Sequence, residues 1–391
     1  MTRFQILNLM LHFLAFYIGA GIGSFLNVVI YRLPLGISVN KPRRSFCPSC
    51  KTQIPMWQNI PLLSWLLLRG KCARCGGSIS VRYFLVELLT GLLFYAVFVN
   101  LTSHYPNPWI HIKAWGPEML CLWVFVSLLI AGTFIDIDHF ILPHSITIGG
   151  AAAGVLAAWW VPGLVDEITH TRGVLISLAS AALGLGGLWL VVELGKLAFG
   201  RKKHVFDKDL AWEVRQPDET LPPLVSFGDQ AYDWSDLFVR ASDRMLIECS
   251  SFTINDRTFE GPLTVELWEN KLKVRTPAAG STPVAEVPIE EWKKVTGQTR
   301  QVIIPREAMG FGDVLFLMMI GAFTGWQAVL FTILAASVLG TVIAMASRVT
   351  GRAEWGAKIP FGPYLAAGAV LWVFYGPQFV EWYVSKVMMR G

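Results

Sequence analysis

The sequence predicts an all-α polytopic membrane protein that carries a small β-rich insert. Hydrophobic residues make up 53% of the 391-residue chain and charged residues only 16%, whereas soluble domains carry about 25% charged residues. Several apolar runs reach the roughly 18–20 residues that a helix needs to cross a bilayer. Between two of these runs, residues 200–308 form a polar stretch that is long enough for a small domain of its own.

The apolar runs predict about eight transmembrane helices. The sixth is short, and its first residues are polar. The predicted spans are Leu7–Val29, Tyr83–Leu101, Glu118–Ile135, Ser145–Val161, Gly173–Phe199, Val314–Phe323, Ala328–Ser347 and Pro363–Val380.

Basic residues in the short loops predict the orientation. The loop after the first span contains many Lys and Arg residues and no acidic residue, whereas the next loop contains only Lys113. Because Lys and Arg accumulate in cytoplasmic loops, we expect the first loop to be cytoplasmic. Alternation of the spans then places Asp136 and the insert on the same side. The net charge of +5 is modest and gives no indication of nucleic-acid binding.

The insert, residues 200–308, is predicted to be soluble and rich in β-strands. Its segment "SFTINDRTFEGPLTVELWENKLKVRT" alternates polar and apolar residues between turn-like ND, EG and EN pairs, a pattern typical of short antiparallel strands. It contains no recognisable catalytic motif. The remaining chain divides into residues 1–101, which include a cysteine-bearing loop at about 33–82, residues 102–199, and residues 309–391.

Four cysteines of the first loop form two CxxC pairs, "CPSC" and "CARC", with 21 residues between them. This spacing lets two thiolates of each pair share one metal ion. Thiolates favour Zn²⁺, and a closed four-thiolate site is structural, while a cytoplasmic location disfavours disulfides. Two independent redox-active or inert pairs are the alternative. The predicted zinc ligands are Cys47, Cys50, Cys72 and Cys75.

Acidic residues at membrane depth are costly and mark functional positions. Asp136 and Asp138 end one predicted span, but residues two apart on a helix do not face each other. Asp313 follows Gly310 and Gly312 in "GFGD", and the predicted topology brings it to the side of Asp136. Two carboxylates held close cannot both ionise easily, so that one acts as a base and the other as an acid. The alternatives are helix capping by Asp313 and interfacial positions for the other two.

Several longer motifs occur in a specific order along the chain. They are "GIGSFLNVVIYRLP", "CPSC", "NIPLLSWLLLRGKCARCGGSISVRYFLVELLTG", "IDIDHFILPHSIT", "GFGD", "GAFTGWQ" and "IPFGPYLAAG". With these motifs the sequence resembles the bacterial type IV prepilin peptidases, bifunctional leader peptidases and N-methyltransferases of the GxGD class of aspartic membrane proteases. The resemblance covers most of the chain outside the insert.

The resemblance implies a function and a set of catalytic residues. Asp136, seven residues before Pro143, and Asp313 of the GxGD motif match the catalytic aspartates, with Gly310, Gly312 and Asp138 in supporting positions. The implied substrate is a prepilin or pseudopilin, whose short basic leader is cut at the cytoplasmic face of the bacterial inner membrane. The new N-terminal residue is then methylated from S-adenosylmethionine.

Residues of the methyltransferase site are implied only by the same resemblance, since the sequence has no glycine fingerprint of a soluble dinucleotide-type fold. The candidates are Gly23, Ser24, Asn27 and Arg32. Glu87 lies inside the second predicted span, and its carboxylate would suit a cationic sulfonium. Packing is the alternative role for each of these residues, because small residues such as those of "GIGS" also form close helix contacts.

The chain departs from the family pattern at two positions near the aspartates. Leu315 stands where the family usually has Lys, and His144 where it usually has Asp or Asn. These departures and the insert keep open a second hypothesis, a zinc-stabilised membrane scaffold of pilus or secretion assembly with reduced or lost protease activity. A transporter is a third, disfavoured because the acids cluster at one face. Expected partners are prepilins, anionic lipids near the basic loop and, at the insert, assembly proteins.

Overall fold

The computed structural model describes most of the chain and divides it into two compact units. One unit comprises Met1–Trp189 and Met309–Gly391, and the other Leu190–Ala308. The described residues are 3–41, 45–47, 49–103, 105, 111–199, 201–215, 223–238, 243–276, 283–305, 310–350 and 360–388.

Helices dominate the chain outside the insert. Among the described residues, five helical segments are long and apolar enough to cross a membrane, namely Ile6–Arg32, Val81–Thr102, Ile112–His139, Pro162–Gly195 and Phe311–Ser347. The prediction of a helical membrane protein is thereby confirmed, while the count of eight spans stays a prediction. The helices are α1 (Arg3–Arg32), α2 (Leu63–Leu67), α3 (Val81–Thr102), α4 (Ile112–His139), α5 (His144–Trp160), α6 (His170–Phe199), α7 (Trp234–Leu237, in the insert), α8 (Phe311–Val349) and α9 (Gly362–Tyr383).

Helix α8 is interrupted at Gly325, between the positions predicted as two separate spans. The backbone there has φ 83° and ψ 174°, outside the helical region. Only glycine adopts such a conformation at no steric cost. The apolar run therefore continues past Gly325, but the helix axis changes direction there.

Small residues allow close contacts between neighbouring helices. A Cβ atom added at Gly23 of α1 would lie 2.7 Å from the Cα of Glu87 on α3, so only glycine fits there. Helix α3 in turn packs on α4, where the rings of Phe94 and Trp123 stack with centroids 4.6 Å apart. The indole N–H of Trp123 also donates to the Phe94 carbonyl at 3.1 Å, which satisfies a buried donor.

Helices α4 and α8 pack against each other through a glycine and aromatic rings. A Cβ atom at Gly132 of α4 would lie 2.8 Å from the ring of Phe316 on α8. Two turns further into the pair, Phe125 and Phe323 stack with centroids 4.9 Å apart. Aromatic stacking of this kind adds about 0.5–1.5 kcal/mol beyond area burial. This packing fixes the ends of the two helices that carry Asp136 and Asp313.

The insert forms one eight-stranded antiparallel sheet, and the predicted β-rich insert is confirmed. The strand order is β3-β2-β1-β8-β4-β5-β6-β7. Trp234, after β3, meets Trp292, after β7, with ring centroids 5.8 Å apart, so the sheet curls around an apolar core. The strands are β1 (Arg201–Arg215), β2 (Leu224–Phe227), β3 (Gln230–Asp233), β4 (Arg244–Ile254), β5 (Arg257–Trp268), β6 (Lys271–Arg275), β7 (Ala285–Pro288) and β8 (Val295–Pro305).

The core of the insert contains Cys249, one of two cysteines outside the CxxC pairs. Its side chain is buried on β4 among apolar neighbours. Burial raises the pKa of this thiol to about 12. Because the thiolate is the reactive form, Cys249 is an inert core residue, and the described part of the insert shows no feature of a catalytic centre around it.

Candidate active site

Two acidic side chains, Asp136 and Asp313, lie buried at one end of the packed helices α4 and α8. Asp136 is 5% exposed near the end of α4, and Asp313 is 7% exposed in the first turn of α8. The Asp136 carboxylate is close enough to act electrostatically on that of Asp313. The sequence pattern suggested this juxtaposition, and the packing of the two helices explains how it arises.

The contact between Gly132 and Phe316 places the two aspartates together. Asp136 follows Gly132 by four residues and therefore shares its helix face, while Asp313 precedes Phe316 by three residues and shares its face. Because the ring of Phe316 packs directly on Gly132, the turn of α4 after Gly132 and the turn of α8 before Phe316 lie at the same end of the helix pair. Gly132 therefore helps to position the two aspartates, although it lies outside the motifs that the sequence analysis identified.

Asp136 is held by the backbone of a third helix. Its Oδ2 accepts a hydrogen bond from the Gly362 N–H, 3.0 Å away, at the start of α9. The first N–H groups of a helix have no partner within the helix, and the helix dipole there favours an anion. The contact therefore orients Asp136 and stabilises its ionised form. Gly362 was not among the predicted site residues, although the "IPFGPYLAAG" motif contains it.

Asp313 has a different environment. It is the third residue of α8, which begins at Phe311, so it lies inside the first turn rather than at the N-cap. Its backbone N–H donates to the Gly310 carbonyl at 3.2 Å. Its Oδ1 is buried and has no hydrogen-bond partner within the part of the chain that the structure describes. A buried polar atom without a partner is costly, and this one is free to bind a water molecule or a substrate group.

The two glycines of the GxGD motif serve different purposes. A Cβ atom at Gly312 would lie 3.0 Å from the Cβ of Leu142, so this glycine allows the loop between α4 and α5 to pack against the start of α8. A Cβ atom at Gly310 would lie 3.8 Å from Oδ2 of Asp313, at ordinary contact distance. Gly310 thus leaves open space beside the carboxylate. Both remain predicted supporting residues.

Asp138 does not join the two buried aspartates. Its carboxylate is about a quarter exposed and forms an ion pair with Arg82 at the start of α3. This agrees with the expectation from helix geometry that Asp136 and Asp138 do not face each other. The contact gives Asp138 a partner that the sequence did not indicate, because Arg82 lies more than fifty residues earlier.

The two departures from the family pattern lie in different surroundings. Leu315 is 6% exposed and packs among the buried side chains at the start of α8. His144 is exposed in the first turn of α5. Leu315 therefore fills an apolar position two residues after Asp313, and His144 reaches solvent. Neither side chain has a described contact with Asp136 or Asp313.

Substitution of Gly362 tests the contact with Asp136. A Cβ atom at this position would lie 2.7 Å from Oδ2 of Asp136. We expect Gly362→Ala to displace the carboxylate and to lower the rate of any reaction at this site by about 10- to 100-fold, the effect of losing one hydrogen bond to a charged group. Gly149→Ala is the matched control, because a Cβ atom at Gly149 meets nothing within 4 Å. Equal rates for both variants and the wild type would contradict the role of Gly362.

The four predicted zinc ligands form one cluster. The sulfur atoms of Cys47, Cys50, Cys72 and Cys75 all lie within 4.8 Å of one another, and those of Cys47 and Cys75 are 3.8 Å apart. Four sulfur atoms at about 2.3 Å from a central ion in a tetrahedron would be about 3.8 Å apart. The donor set and its size therefore fit a structural Zn²⁺ ion.

Two similar turns bring the thiols together. In the first, the Cys47 N–H donates to the Thr52 carbonyl at 2.9 Å, and in the second the Cys72 N–H donates to the Gly77 carbonyl at 2.8 Å. Each turn has a residue with positive φ directly after its second cysteine, Lys51 at 56° and Gly76 at 69°. The repeated geometry explains why both pairs have the same CxxC spacing.

The pKa values of the thiols in the cysteine cluster also favour binding of a cation. Hydrogen bonds from the side chain and backbone of Thr52 lower the pKa of Cys50 to about 6. At Cys75 the Gly77 N–H lowers the pKa, but the neighbouring thiols of the cluster raise it to about 11. Crowded sulfur atoms thus resist full ionisation until a cation neutralises them. The cluster accordingly has the chemistry of a metal site rather than of inert thiols.

A cavity of about 310 Å³ lies between α1, α3 and the cysteine-bearing loop. Four of the five predicted methyl-donor residues line it, namely Ser24, Asn27, Arg32 and Glu87. Gly23 does not, and instead permits the close contact of α1 with the backbone of Glu87. The remaining walls come largely from the loop, through Ser45, Phe46, Cys47, Trp65, Lys71 and Ser80.

Polar groups around this cavity are only partly satisfied. Glu87 Oε2 accepts the Leu62 N–H at 2.7 Å, and the Asn27 side-chain amide donates to the Tyr83 carbonyl at 3.0 Å. The Oδ1 atom of Asn27 is buried without a hydrogen-bond partner among the described residues. Arg32 donates to the carbonyls of Ser38 and Val39 at 3.3 and 3.1 Å. The arrangement offers a carboxylate and a spare acceptor to a polar or cationic ligand.

Family models match most of the chain on either side of the insert. The model described as the Bacterial Peptidase A24 N-terminal domain matches residues 17–101. The model of the Type IV leader peptidase family matches residues 123–203 and 293–345. The first match contains the cysteine cluster and the cavity residues, and the second contains both buried aspartates. Residues 204–292 of the insert lie outside both matches.

Curated relatives agree with these matches. A prepilin leader peptidase/N-methyltransferase of Stutzerimonas stutzeri is 30% identical over 95% of this chain and 93% of its own length. One of Aeromonas salmonicida is 27% identical over 96% of this chain and 94% of its own. One of Myxococcus xanthus is 49% identical over 37% of this chain, a match that spans 39% of that relative. No solved structure matches the chain. This chain belongs to the type IV leader peptidase family.

Proposed function

We propose that this protein is a membrane aspartic endopeptidase that cleaves the basic leader of type IV prepilins or pseudopilins and then methylates the new N-terminal amine. The observation that carries the proposal is the pair of buried carboxylates, Asp136 and Asp313, at one end of packed α4 and α8. Relatives that align along nearly the whole chain are named prepilin leader peptidase/N-methyltransferase. The name and the carboxylate pair point to the same chemistry.

The surroundings of the two carboxylates suggest different roles in hydrolysis. Asp136 accepts an N–H at the start of α9 and is stabilised as the ionised base. Asp313, whose Oδ1 has no partner within the described chain, is the protonated acid. Asp136 takes a proton from water, and the water oxygen forms a bond to the scissile carbonyl carbon, whose oxygen receives the proton of Asp313. Collapse of the tetrahedral intermediate then returns a hydroxyl proton to Asp313 and breaks the C–N bond, and the amine leaves with the proton that Asp136 took from water.

We place the reaction at the cytoplasmic face of the inner membrane. The loop before α3 is rich in Lys and Arg and has no acidic residue, which favours a cytoplasmic location. Alternation of spans then brings the C-terminal end of α4 to the same side. A short basic leader that remains in the cytoplasm would meet the aspartates there, while the apolar part of the substrate stays in the bilayer.

The cavity between α1, α3 and the cysteine-bearing loop is the proposed site of methyl transfer. When bound, S-adenosylmethionine supplies a methyl group on a cationic sulfur, so that an N–C bond forms as the C–S bond breaks, and the amine releases a proton. Glu87 would hold the positive charge, and Asn27 Oδ1 would accept a donor group. The zinc cluster would hold the loop residues that form the opposite wall.

Glu87 is the residue that tests this placement. Glu87→Gln preserves size and the capacity to accept the Leu62 N–H but removes the charge that would face the sulfonium. A partly buried charge pair of this kind contributes several-fold to about 100-fold in affinity, so we expect a comparable rise in the KM for S-adenosylmethionine. Leader cleavage should stay within about twofold of the wild type, since the described contacts of Glu87 include neither Asp136 nor Asp313. An unchanged KM would contradict the placement.

Mass spectrometry of a prepilin or pseudopilin tests the proposed function as a whole. Purified protein in detergent or liposomes is incubated with the substrate, with and without S-adenosylmethionine. We expect loss of the leader in both samples and a further gain of about 14 Da, the replacement of one hydrogen by methyl, only with the donor. An intact leader in both samples would contradict the peptidase and favour the scaffold hypothesis.

A further inference from the structure

Besides the packing of Phe94 on Trp123, an ion pair joins the end of the helix that carries the catalytic Asp136 to the start of the helix that lines the cavity. Asp138, in the last turn of α4, pairs with Arg82, in the first turn of α3. We propose that Arg82 and Asp138 are positioning residues that keep the peptidase site beside the methyl-transfer cavity, so that the freshly cut substrate passes between the sites without release. The inference rests on the proposed function and adds a coupling between its two steps.

Each charge of the pair lies at the helix end where the helix dipole disfavours it. A helix dipole favours acidic residues in the first turn and basic residues in the last. Arg82 occupies the first turn of α3 and Asp138 the last turn of α4, so each is unfavourable within its own helix. Neither residue is therefore explained by the stability of the helix that carries it. Their mutual contact is the interaction that offsets both placements.

Arg82 is surrounded by residues of the cavity. Ser80 and Tyr83, on either side of it, both line the cavity. The Ser80 hydroxyl caps α3 by accepting the Arg82 N–H at 3.2 Å, and the guanidinium lies 5.9 Å from the centroid of the Tyr83 ring. A displacement of Arg82 would consequently displace this wall of the cavity.

Asp138 has a corresponding connection to the aspartate site. It lies two residues beyond Asp136, and α4 ends at His139. The chain then turns through Phe140, whose φ is 55° and whose N–H donates to the Asp136 carbonyl at 2.9 Å. Fixing Asp138 therefore fixes the turn that holds Asp136. The ion pair therefore links the cavity wall to the turn that holds Asp136.

The order of the two steps follows from their chemistry. Methylation makes an N–C bond to the amine that hydrolysis frees, so cleavage must come first. A contact that keeps the two sites together would therefore act on a product that has just formed at the aspartates.

A trapping experiment tests whether the substrate is passed directly. Isotope-labelled prepilin is mixed with the enzyme, saturating S-adenosylmethionine and an excess of unlabelled, already cleaved pilin. With direct transfer, the wild type should methylate most of the labelled product despite the trap. In Arg82→Gln and Asp138→Asn we expect the unmethylated labelled fraction to rise by about two- to fivefold, the effect of losing a partly exposed ion pair. Binding of S-adenosylmethionine is measured by calorimetry in the same variants, and a loss of affinity large enough to account for the unmethylated fraction would overturn the inference.

The charge-exchanged double variant Arg82→Asp/Asp138→Arg separates positioning from folding. It restores the pair and places both charges at the favoured helix ends, so it should recover transfer and should not lower the Tm. Hydrogen exchange in residues 136–141 should accelerate in the single variants and return to the wild-type rate in the double variant. Dilution of wild-type product by the trap, or transfer unaffected by the single variants, would overturn the inference. Absence of cleavage in the wild type would instead overturn the proposed function.

Discussion

Replacing either Asp136 or Asp313 by asparagine should lower the rate of leader cleavage by at least about 10²–10⁴-fold, the contribution of a general acid or base. Asparagine has nearly the same shape as aspartate but can neither take a proton from water nor donate one to the scissile carbonyl. At position 136 the amide oxygen can still accept the Gly362 N–H, so the start of α9 should stay in place. The variants should therefore fold and remain in the membrane while cleavage is lost.

The measurement is the rate of leader release from a prepilin, with protein level and thermal stability followed in parallel. Asp138→Asn is the control, because it makes the same change two residues away on a carboxylate that pairs with Arg82. It should retain cleavage within about fivefold of the wild type. Full cleavage by Asp313→Asn would rule out the assignment, since the GxGD aspartate would then have no chemical role.

The sequence indicated the two buried aspartates more directly than the contacts that hold them. Helix periodicity separated Asp136 from Asp138, the predicted topology brought Asp136 and Asp313 to one side, and the family resemblance assigned both as catalytic. Gly362 and Gly132 could not be singled out in this way, because their importance depends on which helices touch. A glycine that admits Phe316 has the same sequence signal as any small residue in a membrane helix.

Sequence-based prediction was similarly incomplete for the residues of the cavity. Ser24, Asn27, Arg32 and Glu87 were candidates by resemblance, and the structure brings them to the walls of one cavity. Gly23 was grouped with them, but it packs against the backbone of Glu87, which was the alternative considered for it. The sequence did not indicate the Arg82–Asp138 pair, because no periodicity relates two charges in different helices. That each charge lies at the helix end disfavoured by the dipole is apparent only once the bounds of both helices are known.

Removal of zinc should abolish methylation while largely sparing cleavage. The cysteine-bearing loop supplies one wall of the cavity, including Ser45, Phe46 and Cys47, and the sulfur atoms of its four cysteines lie within 4.8 Å of one another. Structural zinc contributes about 10–16 kcal/mol of apparent binding free energy in small domains, many of which unfold without metal. Cys47→Ser should therefore lose stoichiometric zinc and disorder this wall, so that methyl transfer falls by at least about 100-fold.

The aspartate site should respond far less, because the described groups that pack these helix ends and bind Asp136 belong to α4, α8 and the start of α9. Metal content by elemental analysis and the two activities by mass spectrometry give the result. Cys249→Ser is the matched control, since Cys249 is equally buried but lies in the core of the insert, and it should retain zinc and both activities. A zinc-free Cys47→Ser protein that methylates at the wild-type rate would show that the metal does not support the cavity. Loss of cleavage equal to that of methylation would mean that the loop also orders the start of α3, where Arg82 pairs with Asp138 of α4.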